Sequence, residues 1–205
     1  VSSAHRRGTL GHTLGHTLGH TLGHTLGHTL GHTLGHTQQR AIASATGCVA
    51  AIEIDISDRQ TIMRVGGAWL ERLVRKALLA EGILQATVGI LLVNDRRMAI
   101  IHSKWLGLQG PTDVITFDLS DGIKGGPLQG DIAVSTETAR RSSGDYGWTP
   151  RQELAYYVIH GLLHLTGYDD TAPILRRAMR ARERTLMQTL GMPCPPRNKR
   201  RKTNS

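Results

Sequence analysis

Apolar positions follow two regimes along this chain. Up to residue 40 they keep no structural period. From Gly11 to Thr37 the unit GHTL recurs seven times, and Gln38 stands where the last leucine would be. A period of four fits neither the 3.6 of a helix nor the 2 of a strand. It is also far shorter than a solenoid repeat. Glycine in every unit costs a helix about 1 kcal/mol each relative to alanine. No aromatic residue is present in this stretch to seed a core. Residues 1–40 are therefore expected to be a disordered low-complexity tract, with adventitious metal binding by its histidines as a side property.

Beyond it the pattern becomes regular. Residues 49–56 (VAAIEIDI) alternate into a strand. Residues 65–82 set Trp69, Leu70, Leu73, Val74, Ala77 and Leu78 at helical spacing, with Gly82 suited to the end. Residues 86–94 read as a central strand, apolar on both faces. Asp95 is placed to cap a short helix over 96–107. Strands follow at 113–119 and 130–135, then a short helix of weak formers over 136–147. The helix over 149–165 opens with Thr149 at the cap, Pro150 at its first position and Glu153 in its first turn. A last helix spans 173–190. The order β-α-β-α-β-β-α-α-α predicts an α+β fold, a small mixed β-sheet packed with helices.

Charge divides the chain further. The net +9 is uneven: residues 41–196 hold 17 basic and 16 acidic side chains, while residues 197–205 hold five basic and none acidic. The reading is one domain over 41–196 with a basic tail over 197–205. Arg176, Arg177, Arg180, Arg182 and Arg184 make the last helix basic as well, which suits phosphate contacts. Only Cys48 and Cys194 occur, with no ligand-like clustering, so neither a disulfide framework nor a thiolate zinc site is expected. No stretch approaches the ~20 apolar residues of a membrane span. A reducing cytoplasm and no membrane partner fit these features.

The chemistry lies in HGLLHLTGYDD, residues 160–170. His160 and His164 stand one helical turn apart and project together. Gly167 lets the chain leave the helix and return, which brings Asp169 or Asp170 toward the two imidazoles. Three ligands and one open position describe a catalytic zinc. Zinc peptidases of similar spacing carry glutamate directly after the first histidine. Here that position is Gly161, so the usual peptidase base is missing.

The same stretch resembles the H-G-x-L-H-L-x-G-Y-D-H signature of the YbeY endoribonuclease family. GPTDVITFDL resembles that family's P-T-D-V-L-S-F segment, and LQGDIAVSTETA its L-G-D-I-x-I-S stretch. The resemblance implies a zincin-like metal helix with His160, His164 and Asp170 as ligands of one Zn2+ per chain. Asp170 replaces the family's usual histidine, and Asp169 becomes a supporting or turn residue. It implies a zinc-dependent, single-strand-specific endoribonuclease that matures the 3′ end of 16S rRNA and serves ribosome quality control. Its partners would be ribosomal RNA and the small ribosomal subunit. Glu153, two turns before His160, is a further catalytic candidate that would orient a ligand or assist the zinc water; otherwise it caps the helix. Thr112 and Asp113 either line the cleft or make the turn into a strand. Trp69, Trp105 and Trp148 are expected to pack. In the family's L-N-x-x-Y-R segment, His102 takes the Asn position and Leu106 the Arg position, so either Lys104 or another base substitutes for that cation, or the contact is absent. The alternative is a ribosome-assembly binding factor with a mainly structural metal. A metallopeptidase is disfavoured by Gly161.

Overall fold

The structure is a computed structural model that describes residues 50–120 and 126–194, with the backbone of residues 16–18. The nine elements predicted after residue 40 all form, in the expected order. They are β2 (Ala51–Asp58), α1 (Gly67–Ala80), β3 (Gln85–Val93), α2 (Asp95–Leu106), β4 (Val114–Asp118), β5 (Leu128–Ser135), α3 (Thr136–Tyr146), α4 (Pro150–Leu165) and α5 (Pro173–Thr189). The fold is α+β. In its mixed sheet these four strands lie side by side in the order β4-β5-β3-β2, with β2, β3 and β5 parallel and β4 antiparallel to β5.

One short element was not expected. His16–Leu18, here β1, pairs parallel with Ile115 to Phe117 on the outer edge of β4. That edge offers unpaired N–H and C=O groups, which accept any extended segment. The rest of residues 1–40, and the tail at 197–205, lie outside the described residues.

The sheet is covered on both faces. Ile52, Val88, Ile90, Ile132 and Val134 pack with α1, α4 and α5, while Val93, Ile115, Phe117 and Ala133 pack with Met98 of α2. In α4 every residue from Glu153 to Leu165 is buried, so it is a core helix rather than a two-faced surface helix. It comes close to the sheet at Gly161. A Cβ there would stand 2.8 Å from Ile132 Cγ2 and 3.1 Å from Thr116 Oγ1. This tight seat fixes the rotation of α4, and with it the direction of both histidines.

Two details depart from the sequence reading. Asn94, not Asp95, caps α2: its side chain accepts from the Arg97 N–H at 3.0 Å. Asp95 turns instead to α3, where it accepts from Thr138 Oγ1 and Arg141. At α4, Thr149 caps as predicted, but Gln152 completes the reciprocal box and Glu153 turns inward.

Candidate metal centre

Helix α4 ends in the turn that builds the site. The Gly167 and Tyr168 N–H groups donate to the carbonyls of His164 and Leu163, at 3.0 and 2.9 Å. Gly167 makes this possible with φ 95°, in the left-handed region where a side chain is strained. The chain then doubles back. Asp169 accepts from the Thr171 N–H at 2.9 Å and from its hydroxyl at 2.6 Å, so Asp169 is the turn residue. Asp170 is left to face the histidines. Arg176 steadies this loop by donating to the Asp170 and Thr171 carbonyls, at 2.9 and 3.3 Å.

One donor atom each from His160, His164 and Asp170 lies within 4.8 Å of the others, and the three could hold a metal ion. The two imidazoles are nearly perpendicular, with centroids 4.7 Å apart. Their ring protons follow from their partners. His164 Nδ1 is 3.1 Å from the Tyr168 carbonyl, which can only accept, so Nδ1 carries the proton. His160 Nδ1 is 2.7 Å from Glu183 Oε1, a carboxylate acceptor. With both rings neutral, both Nε2 atoms are lone-pair acceptors, and they face each other at 3.1 Å. Two acceptors at that distance repel unless a cation joins them. Tetrahedral zinc with ligands at about 2.0–2.1 Å sets its donors roughly 3.3 Å apart. The residues present therefore fit zinc. Burial, and then the neighbouring His160, hold the His164 pKa low, which favours the neutral ligand form.

Glu183 escaped the sequence reading. It is 1% exposed on α5, and its second oxygen accepts from the Tyr156 hydroxyl at 2.9 Å. A signal for it existed: Glu183 is the sole acid of α5 and shares its buried stripe with Met179, Leu186 and Met187.

The other candidates sort by position. Glu153 is 2% exposed and is not in the group of three; it hydrogen-bonds Tyr157. Asp113 makes the start of β4, where its carboxylate accepts from the Val114 N–H at 2.9 Å and the Thr112 hydroxyl at 3.0 Å. His102 accepts a structural task, holding the Gly110 carbonyl through Nδ1 at 2.8 Å. The tryptophans pack: Trp105 edge-on to Phe117, Trp148 between Tyr146 and Tyr156, and Trp69 beneath Arg151. Lys104 lies over the Trp105 ring, and Leu106 packs in the cluster on the α2 face of the sheet. Neither joins the metal group, which sits on the α4 side.

Burial raises the Glu153 carboxyl to about 7; its bond to Tyr157 opposes the shift and the charge of Asp113 adds to it. The folded protein thus keeps a proton that the unfolded chain releases near its ordinary value of 4.5. Stability from this group is present below that value and is lost as pH rises to about 7. We expect Glu153→Gln to stabilise the protein at pH 8 by roughly 2–3 kcal/mol, with the gain vanishing near pH 4.5. Urea unfolding of both proteins across that range measures it. A gain that does not change with pH would exclude Glu153 as the titrating group.

A family model described as Endoribonuclease YbeY matches residues 52–191. Relatives of that description include one from Anaeromyxobacter sp., 40% identical over 56% of this chain and 60% of its own length. Another, from Moorella thermoacetica, is 32% identical over 69% of this chain and 99% of its own. A solution structure from Thermotoga maritima matches at 24% identity and a TM-score of 0.47, covering 68% of this chain and 91% of that one.

Proposed function

The chain belongs to the endoribonuclease YbeY family, and on that premise we propose that it is a zinc-dependent endoribonuclease of single-stranded ribosomal RNA. Its place would be the cytoplasm, at the small ribosomal subunit, in maturation of the 3′ end of 16S rRNA and in ribosome quality control. Among the described residues, no helix is long and apolar enough to cross a membrane.

One observation carries the reading: two buried acceptor nitrogens face each other at 3.1 Å with the Asp170 carboxylate beside them. Zinc held there by His160, His164 and Asp170 would supply a Lewis acid to a phosphodiester oxygen or to a water. The chain's own residues set the conditions. Glu183 and the Tyr168 carbonyl hold the Nδ1 protons and so direct both Nε2 lone pairs inward. Asp170 brings a negative charge where an imidazole would be neutral, which weakens the electrophile at this centre. Cations for phosphate lie on α5. Arg182 is engaged by Glu81 at 2.6 Å and Arg176 by the ligand loop, whereas Arg177, Arg180 and Arg184 recur at i, i+3 and i+7 along one face. A peptidase is disfavoured doubly, since Gly161 lacks a side chain and faces the sheet.

Incubating single-stranded ribosomal RNA with the purified chain tests the proposal. We expect cleavage that a chelator abolishes and zinc restores. Asp170→Ala should lose metal and cleavage together, since even outer-shell losses weaken metal binding by roughly 10–100-fold. Asp170→His should keep or raise both. RNA that is bound but left intact by the zinc-loaded protein would favour the assembly-factor reading. Leu106 supports that second reading, because its side chain fills an apolar cluster where the family pattern has an arginine.

A further inference from the structure

The far side of His160 is built as carefully as the near side. Glu183 and the His160 ring are buried together, and Oε1 meets Nδ1 at 2.7 Å. The other carboxylate oxygen is held by the Tyr156 hydroxyl at 2.9 Å, and Tyr156 itself is buried. The three groups come from two helices. Tyr156 lies one turn before His160 on α4, and Glu183 comes across from α5. A buried carboxylate on an otherwise apolar stripe is costly unless it is fully hydrogen-bonded, and both of its oxygens are met here.

We propose that Glu183, braced by Tyr156, is a positioning residue of the metal centre. It fixes His160 as the Nδ1–H tautomer, aims the Nε2 lone pair and makes that nitrogen a stronger donor to a metal. His164 has only the neutral Tyr168 carbonyl in the corresponding place. The two imidazoles are therefore unequal donors, and His160 is the stronger. The arrangement also ties α5 to the metal, because the acid comes from α5 and the ligand from α4. This role rests on the metal reading of His160, His164 and Asp170.

The test uses the full chain. Glu183→Gln keeps the volume and both contacts but removes the charge. Zinc affinity is measured by competition with a chromophoric chelator, and the metal bound by His164→Ala is subtracted to remove any uptake by the GHTL tract. Cobalt(II) in place of zinc reports the ligand field. Ring-nitrogen NMR in chelator reports the His160 tautomer without any metal. We expect a loss of zinc affinity of roughly 10–100-fold and a shifted cobalt spectrum in Glu183→Gln, with the unfolding temperature of the metal-free protein retained. Tyr156→Phe should give a smaller loss in the same direction. It serves as the variant of record if Glu183→Gln does not fold, and unchanged affinity in it would then overturn the proposal. A purely packing role would move the metal-free unfolding temperature and leave the cobalt spectrum alone. Unaltered zinc affinity in a folded Glu183→Gln overturns the role of Glu183, as does an Nε2–H tautomer of His160 in the wild type. If the wild type takes up no more zinc than His164→Ala, the metal reading fails and takes this proposal with it.

Discussion

Replacing Gly161 with glutamate is expected to unfold the protein rather than give it a peptidase base. The position follows the first histidine, where zinc peptidases of similar spacing carry their glutamate. Here it points into the sheet. Even the first added carbon would stand 2.8 Å from Ile132 Cγ2 and 3.1 Å from Thr116 Oγ1. Ile132 is a buried core side chain and Thr116 lies on β4, so neither can swing away into solvent. Gly161→Ala gains about 1 kcal/mol of helix propensity but overpacks the seat at a cost of roughly 1–3 kcal/mol. Glutamate adds a carboxylate with no partner in an apolar contact, which costs several kcal/mol more. Together these approach the whole stability of a domain, about 5–15 kcal/mol. Circular dichroism and urea unfolding of both variants decide the matter. A folded Gly161→Glu protein with native-like stability would show that α4 can move off the sheet, and would undo the account of how the histidines are aimed.

How far the sequence disclosed this arrangement depended on how local each feature is. The cap at Thr149, the histidine pair and the glycine turn are all written within about twenty neighbouring residues, and all were legible. Alternation located β2, and short apolar runs located β3 to β5, for the same reason. The start of β5 was read two residues late, because Leu128 and Gln129 join the strand only by pairing with Ala86 and Thr87 of β3. Asn94 and Asp95 are equally good caps in isolation, and α3 decides between them by claiming the Asp95 carboxylate. The choice between Asp169 and Asp170 came from resemblance alone; in the structure Thr171 occupies Asp169 and so separates the two. Glu183 stayed hidden because its partner lies on another helix, and the arginines around it made the segment read as a basic face suited to phosphate. Glu153 was visible as a first-turn acid, yet its burial depends on the packing of Tyr157 and the start of β4 around it.

His160→Ala and His164→Ala should both abolish the site's metal binding but differ sharply in what they do to the metal-free fold. At the proposed zinc site each variant removes one of three ligands, so each should lose the single zinc equivalent bound beyond any uptake by the GHTL tract. Cleavage should fall with it. A metal supplies several kcal/mol of transition-state stabilisation, and each 1.36 kcal/mol is tenfold in rate, so about a thousandfold loss is expected. The folds should diverge because the far ring atoms have different partners. His164 Nδ1 meets a backbone carbonyl, a bond worth about 1 kcal/mol. His160 Nδ1 meets the Glu183 carboxylate at 1% exposure, and its removal leaves that charge with Tyr156 alone. Orphaning one member of a buried pair costs about 3 kcal/mol or more. Unfolding in excess chelator should therefore show His160→Ala as the less stable variant by about 2 kcal/mol. Adding Glu183→Gln to His160→Ala should recover much of that difference, because the stranded charge is gone. Equal losses in the two single variants, or no recovery in the double, would mean that Glu183 is held by something other than His160.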